Sequence, residues 1–203
     1  HADGMHCGSW VRSLLDRNVV ERVITIGVNS RDVIWPDVKG AGLDHVESGR
    51  HVIFAHRDMR LSPFHSRVHR SDYYSNLDRW SEGAPSLSEL MTVVSKMIET
   101  RSIYITIDKD VLRECDATTN WDQGILDVET LEGWLAFLID HHHLAGMDVI
   151  GDYSPALFAG PLRSRILKRA EVLVDQPIWP SGGTACNERS NIRLLATLRS
   201  SLC

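Results

Sequence analysis

Two carboxylates stand two residues apart at the end of an apolar run. Residues 102–107 read Ser-Ile-Tyr-Ile-Thr-Ile and lead directly into Asp108-Lys109-Asp110. The run predicts a buried strand, in which side chains at i and i+2 share a face, so Asp108 and Asp110 would project together while Lys109 points away. Adjacent carboxylates repel each other and lose hydration, and a divalent cation relieves both effects. The pattern favours a cation site, with a solvated loop as the alternative.

The first residues of the chain carry three more candidate side chains. His1 and Asp3 repeat the i, i+2 spacing with one imidazole and one carboxylate, a mixture that suits Mn²⁺, Zn²⁺ or Fe²⁺. The alternative for this pair is a histidine introduced by cloning. His6 lies between Gly4 and Gly8, which would let the backbone approach a substrate, and its alternative is an ordinary loop histidine.

Asp152 follows a second apolar run, Met147 to Ile150, within the segment Gly151-Asp152-Tyr153-Ser154-Pro155. Ligand sites of open α/β sheets lie outside the carboxyl ends of the strands. Asp152 could therefore bind a cationic group of a substrate, or it could cap the segment that follows it.

Strands and helices that would position these residues alternate along the chain. The predicted helices cover residues 10–16, 86–99, 127–139 (capped by Asp127) and 161–169, and a last helix has an apolar stripe of Ile192, Leu195 and Leu198. The predicted strands cover residues 22–28, 51–55, 102–107, 147–150 (after a turn closed by Gly146) and 171–174, and residues 57–85 are mostly irregular. Short connections favour right-handed crossovers and a parallel sheet, in a single α/β domain over residues 1–203.

Composition limits the classes of partner. The 203 residues carry a formal charge of −5 and no basic block, which argues against a protein that binds nucleic acid or an anionic membrane. No apolar run approaches the roughly 20 residues of a membrane span. The four cysteines form no Cys-x-x-Cys pair, so we expect neither a zinc ribbon nor a disulfide scaffold, and a reducing cytoplasm as the compartment.

Taken together, these segments resemble the arginase/agmatinase (ureohydrolase) family. The chain opens His1-Ala2-Asp3, like the end of that family's Asp-Ala-His-x-Asp motif, and Met5-His6-Cys7-Gly8 resembles its His-Gly segment. Residues 102–110 resemble its strand ending in Asp-x-Asp, residues 124–131 its Gly-Leu-Thr stretch, and residues 147–155 its strand ending in Glu-x-Asn-Pro. The segments occur in the family's order and extend across the chain.

The resemblance implies a three-layer αβα fold with a mainly parallel sheet and a binuclear manganese site. By this resemblance, the metal ligands would be His1, Asp3, Asp108 and Asp110. His6 would carry protons near the substrate, and Asp152 would stand where the family binds guanidinium with a glutamate. We expect the family's first strands and its two remaining metal ligands upstream of His1, so that this chain is the carboxyl-terminal two-thirds of a longer domain.

The activity that the resemblance implies is hydrolysis of a C–N bond in a small guanidino or amidino substrate. Two metals would share a water and lower its pKa, so that hydroxide attacks the amidine carbon and urea or a related amide is released. Two alternatives remain, a metal-dependent amide deacetylase and a non-catalytic protein that keeps the arginase-like fold. The resemblance also implies a homo-oligomer, as a trimer or hexamer.

Overall fold

The computed structural model describes residues 10–28, 42–55, 74–76, 87–121, 123–154, 161–163, 165–166, 169–170 and 183–202. The chain divides into two compact units, His1–Thr100 and Arg101–Cys203. Within the described residues, the strands form two small sheets, and the strands of each sheet pair in parallel. The predictions of an α/β class and of parallel pairing are therefore confirmed.

The first unit contains a three-stranded sheet. Its elements are α1 (Trp10–Asp16), β1 (Val23–Val28), α2 (Leu43–Glu47), β2 (His51–Ala55), β3 (Tyr74–Asn76) and α3 (Leu87–Met97). The strands lie in the order β1-β2-β3. The helix predicted at 10–16 and the strands predicted at 22–28 and 51–55 are confirmed, whereas β3 lies in a segment that the sequence predicts to be irregular.

Arg22 joins three parts of this unit through one guanidinium. Its Nε donates to the carbonyl oxygen of Gly49 at 3.0 Å, and its Nη1 donates to the carbonyl of Met97 and to Glu99 at 3.2 Å. Because the last carbonyls of a helix have no partner within the helix, a cation at the end of α3 stabilises it.

The second unit contains β4 (Ser102–Asp108), a 3-10 helix (Lys109–Val111), α4 (Val128–His141), β5 (His143–Ile150) and α5 (Gly183–Leu202). Helices α4 and α5 pack on the β4–β5 pair around the buried residues Ile107, Leu135, Ile139 and Leu194. The predicted cap of α4 is confirmed, because the Asp127 side chain accepts from the backbone N–H of Thr130 at 2.7 Å.

Gly146 does not close a turn, which corrects the predicted start of this strand. It lies inside β5, where a Cβ on Gly146 would come within 2.8 Å of the Tyr104 ring on β4. The absent side chain leaves room for that ring, whose hydroxyl donates to Asp148 at 3.0 Å. The glycine therefore allows close packing between the two strands. From sequence alone, a glycine in this role looks the same as one that closes a turn.

The predicted apolar stripe of α5 is also partly wrong. Ile192 and Leu195 are 61% and 64% exposed, while Leu194 is fully buried and Leu198 packs beside it. Asn187 and Ser190 lie on the same face as Leu194. Both are buried, and both form hydrogen bonds to backbone carbonyls. Hydrophobic periodicity misassigns this face because its first half is polar.

Residues 162–163, 165–166 and 169–170 are helical, within or next to the predicted helix at 161–169. The strand predicted at 171–174 lies outside the described residues. Of the helices in the described part of the chain, none has both the length and the apolar character that crossing a membrane requires.

Candidate functional site

The candidate site lies at the carboxyl ends of β4 and β5. The two strands pair in parallel with Asp108 opposite Ile150, so Asp152, two residues further on, follows the second strand at the same edge of the sheet. Binding sites of open α/β sheets form at this edge, because strands end there and loops supply free side chains. The fold therefore gathers Asp108, Asp110 and Asp152 in one region of the second unit.

Asp108 ends its strand by capping the helix that follows. Its backbone is extended (φ −92°, ψ 120°), and its Oδ1 accepts from the backbone N–H of Asp110 at 3.2 Å. Asp110 consequently belongs to the 3-10 helix, and the prediction that both carboxylates lie on one strand face is corrected. Side chains that compete for backbone N–H groups commonly end a strand in this way.

The electrostatics of Asp108 disfavour a bare negative charge. Partial desolvation raises the pKa of Asp108, and the N–H of Asp110 opposes this shift only in part. The Oδ1 atom of Asp110 is itself buried. A positive ion close to these oxygens would therefore lower the free energy of the ionised carboxylates.

Two glycines bring backbone against the Asp108–Asp110 segment. Gly151 has φ +89°, and a Cβ there would come within 2.8 Å of the backbone nitrogen of Lys109 and would also overlap Asp108 Oδ1. Gly124 donates its N–H to the carbonyl of Asp110 at 2.6 Å, and a Cβ there would lie 2.7 Å from that oxygen. Only glycine fits at either position, so the loops close tightly around the acidic segment.

The burial of Lys109 is the main feature of the site that the sequence pattern did not lead us to predict. Its side chain has no exposed surface, and its Nζ donates to Asp152 Oδ1 and, at 3.0 Å, to Asn191 Oδ1 on α5. The side chain of Asp152 remains 55% exposed. Alternation could have predicted this burial, because Lys109 continues the inward-facing series Ile103, Ile105 and Ile107.

Side-chain amides fasten the loop that follows the 3-10 helix. Asn187 on α5 accepts from the N–H of Thr118 and donates to its carbonyl, both at 2.7 Å. Asn120 makes the same pair of bonds with Ser154, at 2.8 and 2.9 Å. Each side-chain amide bonds both the N–H and the C=O of one residue, as a neighbouring strand would do. These bonds hold the loop against α5 and the segment after β5, beside the candidate site.

The remaining predicted site residues, His1, Asp3 and His6, lie outside the described residues. In the part of the chain that the structure describes, no group of three or more histidine, cysteine or acidic side chains is placed to hold a metal ion. Within the described residues, the site thus consists of an acidic segment and the buried ammonium group of Lys109.

No protein-family model matches this chain, and no curated protein matches it.

Proposed function

We propose that the chain is a metal-dependent hydrolase of the arginase/agmatinase type with a three-layer αβα fold, acting on the C–N bond of a small guanidino or amidino compound. The observation that carries the proposal is the placement of Asp108, Asp110 and Asp152 at one edge of the parallel β4–β5 pair. The resemblance of the sequence adds His1 and Asp3 as ligands, His6 as proton carrier and Mn²⁺ as the metal.

Two carboxylates of the described residues, those of Asp108 and Asp110, have the donor chemistry that a divalent cation accepts, and the remaining ligands would come from His1 and Asp3. Carboxylate oxygens are ligands that Mn²⁺ accepts, and Asp108 is desolvated in a way that a cation would offset. When bound, Mn²⁺ supplies Lewis acidity and activates water at neutral pH. Asp108 and Asp110 would hold it. The close approach of Gly151 limits the freedom of the Asp108 carboxylate, and Gly124 packs against the backbone of Asp110.

The role of Asp152 in this proposal is to orient the substrate. One of its oxygens binds Lys109, so its carboxylate is held in place by a buried partner while more than half of the side chain stays accessible. A positioned acceptor of this kind could receive an N–H of the substrate. His6 would then pass the proton to the departing amine.

Metal binding gives the primary test. The full chain is incubated with Mn²⁺, separated from free metal, and its manganese measured by elemental analysis. We expect stoichiometric metal in the parent chain and loss of it in Asp108→Asn/Asp110→Asn. The matched control is Asp140→Asn, whose side chain is 81% exposed on α4. Metal that persists in the double variant would overturn the proposed site, and urea release from a panel of guanidino compounds tests the reaction.

One observation favours a second candidate, hydrolysis of an amide. The Lys109 ammonium already neutralises Asp152, so a guanidinium would meet a paired carboxylate instead of a free one. A neutral amide needs no free negative charge, so the pairing of Asp152 with Lys109 does not weaken its binding. Acetate release from acetylated amines, without urea release from guanidino compounds, would select this candidate, and absence of bound metal would favour a non-catalytic protein.

Only the sequence supports the proposals for compartment and assembly. We propose a reducing cytoplasm because the four cysteines are dispersed, and a homo-oligomer because the resembling family forms them. Size-exclusion chromatography with light scattering tests the second point.

A further inference from the structure

Two cysteines meet where α5 contacts the turn after the 3-10 helix. The thiol of Cys186 donates to the carbonyl oxygen of Cys115, with the sulfur 2.9 Å from that oxygen. Both cysteines are free thiols, Cys115 exposed and Cys186 half-buried. They are 71 residues apart in the chain, so it is the fold that brings them together.

The hydrogen bond limits how far apart the two cysteines can be. Standard bond lengths place a carbonyl oxygen about 2.4 Å from its own Cα, so the Cys186 sulfur lies within about 5.3 Å of the Cys115 Cα. A cysteine sulfur lies about 2.8 Å from its own Cα, so the two Cα atoms are at most about 8.1 Å apart, and disulfides join residues whose Cα atoms are about 4.4–6.8 Å apart. A small approach of the two segments therefore suffices to form the bond. Because Cys115 is exposed, its side chain is free to rotate toward that sulfur.

Neighbouring contacts hold the two elements at this distance. Ser190 donates its hydroxyl to the carbonyl of Asp116, and Asn187 pairs with the backbone of Thr118. Both residues lie on α5 and bind the segment directly after Cys115. The approach of the cysteines is therefore part of a wider contact.

We propose that Cys115 and Cys186 form a reversible intramolecular disulfide when the chain meets a low-molecular-weight disulfide such as oxidised glutathione. This proposal does not depend on the proposed function. The cross-link would join α5 covalently to the turn it contacts, on the same helix that binds Lys109 through Asn191.

The exchange proceeds in two balanced steps. The exposed Cys115 loses its proton and attacks one sulfur of the reagent, which forms a mixed disulfide and releases one thiol. Cys186 then loses its proton and attacks the Cys115 sulfur, which forms the protein disulfide and releases the second thiol. Two cysteine thiols are oxidised and one reagent disulfide is reduced to two thiols. Burial raises the pKa of Cys186, which agrees with its acting second.

Peptide mapping of the full chain tests the proposal. The folded chain is treated with oxidised glutathione, its free thiols are alkylated, and it is digested with trypsin without reduction. We expect fragments 114–163 and 170–189 to appear as one cross-linked species that has lost two hydrogens, with Cys7 and Cys203 alkylated. Cross-linking should be at least about tenfold faster in the folded chain than in urea, because the fold raises the effective concentration.

The single variants provide matched controls. Cys186→Ser retains a hydroxyl that can donate to the same carbonyl, and we expect it to accumulate a glutathione adduct on Cys115. Cys115→Ser should give no cross-linked fragment. Separate recovery of the two fragments with both thiols alkylated, cross-links through Cys7 or Cys203 instead, an equal rate in urea, or no adduct in Cys186→Ser would each overturn the proposal.

Discussion

Lys109 and Asp152 form an ion pair whose two members differ in burial. Lys109 has no exposed surface, while the side chain of Asp152 is 55% exposed. A buried ammonium that loses its counter-ion keeps its full desolvation cost, whereas an exposed carboxylate that loses its partner is hydrated again. Replacing Asp152 should therefore lower the free energy of unfolding more than replacing Lys109.

We expect Asp152→Asn to lower the free energy of unfolding by about 3–5 kcal/mol, and Lys109→Met by about 1–3 kcal/mol. Urea denaturation at pH 7 measures both. The double variant Lys109→Met/Asp152→Asn is the control, and it should be no less stable than Asp152→Asn alone because it leaves no ammonium buried. A larger loss in Lys109→Met than in Asp152→Asn would contradict the unequal burial.

His51 gives the first unit a dependence on pH. It lies on β2, where its Nε2 is 2.9 Å from the hydroxyl of Thr25. Burial, with a smaller contribution from His45, lowers the pKa of His51 from 6.5 to about 4. The folded state therefore binds this proton less readily than the unfolded chain, so its contribution to stability is present above pH 6.5 and is lost as the pH falls toward 4.

The resulting loss of stability between pH 7 and pH 3 is about 3 kcal/mol for this group. We expect His51→Gln to reduce the pH dependence by that amount, and His143→Gln, which changes an exposed histidine, is the matched control. Urea denaturation over this pH range measures the slopes. Equal slopes in the parent chain and in His51→Gln would show that His51 is not the titrating group.

At the scale of elements, the sequence predicted what depends on local pattern. Strand β4 and the Asp127 cap of α4 each follow from a few adjacent residues, and both were predicted close to their observed limits. The contact of Lys109 with Asn191 spans 82 residues, and no local pattern encodes it. Because parallel strands end at one edge of a sheet, the sequence pattern does predict that Asp108 and Asp152 follow their strands at the same edge. The second partner of Lys109, Asn191, depends on how α5 packs.

The amide of Asn187 is the clearest case of a contact that sequence patterns do not reveal. It satisfies both backbone groups of the buried Thr118, and it is itself 4% exposed. Polar residues in a helix are ordinarily expected to face solvent. This expectation put the face of Asn187 on the outside of α5, and the predicted apolar stripe was therefore partly wrong. Buried polar groups of this kind are costly to leave without a partner.

We expect Asn187→Ala to lower the free energy of unfolding by about 1–3 kcal/mol, because the buried N–H of Thr118 loses its acceptor, while its carbonyl keeps the N–H of Tyr153. It should also raise the rate of hydrogen exchange at the amide of Thr118. Glu188→Ala is the matched control, since the neighbouring side chain on α5 is exposed. Slow exchange at Thr118 in Asn187→Ala would contradict the assigned role of the amide.

At the scale of the whole molecule, charge links the candidate site to stability. Asp108, Asp110 and Asp152 carry three negative charges and Lys109 one positive charge, which leaves a formal −2 at this edge of the second unit. The chain as a whole is also acidic, at −5. A divalent cation that binds only the folded chain shifts the unfolding equilibrium by mass action, so occupancy of the site is measurable without any activity.

We therefore expect Mn²⁺ at one hundred times its dissociation constant to stabilise the chain by about 2.7 kcal/mol, which raises Tm by roughly 5–10 °C for a protein of this size. Chelation by EDTA should reverse the shift. Thermal denaturation followed by circular dichroism measures it, with Asp140→Asn responding like the parent chain and Asp108→Asn/Asp110→Asn not responding. An equal shift in that double variant would mean that manganese stabilises the fold from another position, because neither of the two carboxylates would then be needed to hold it.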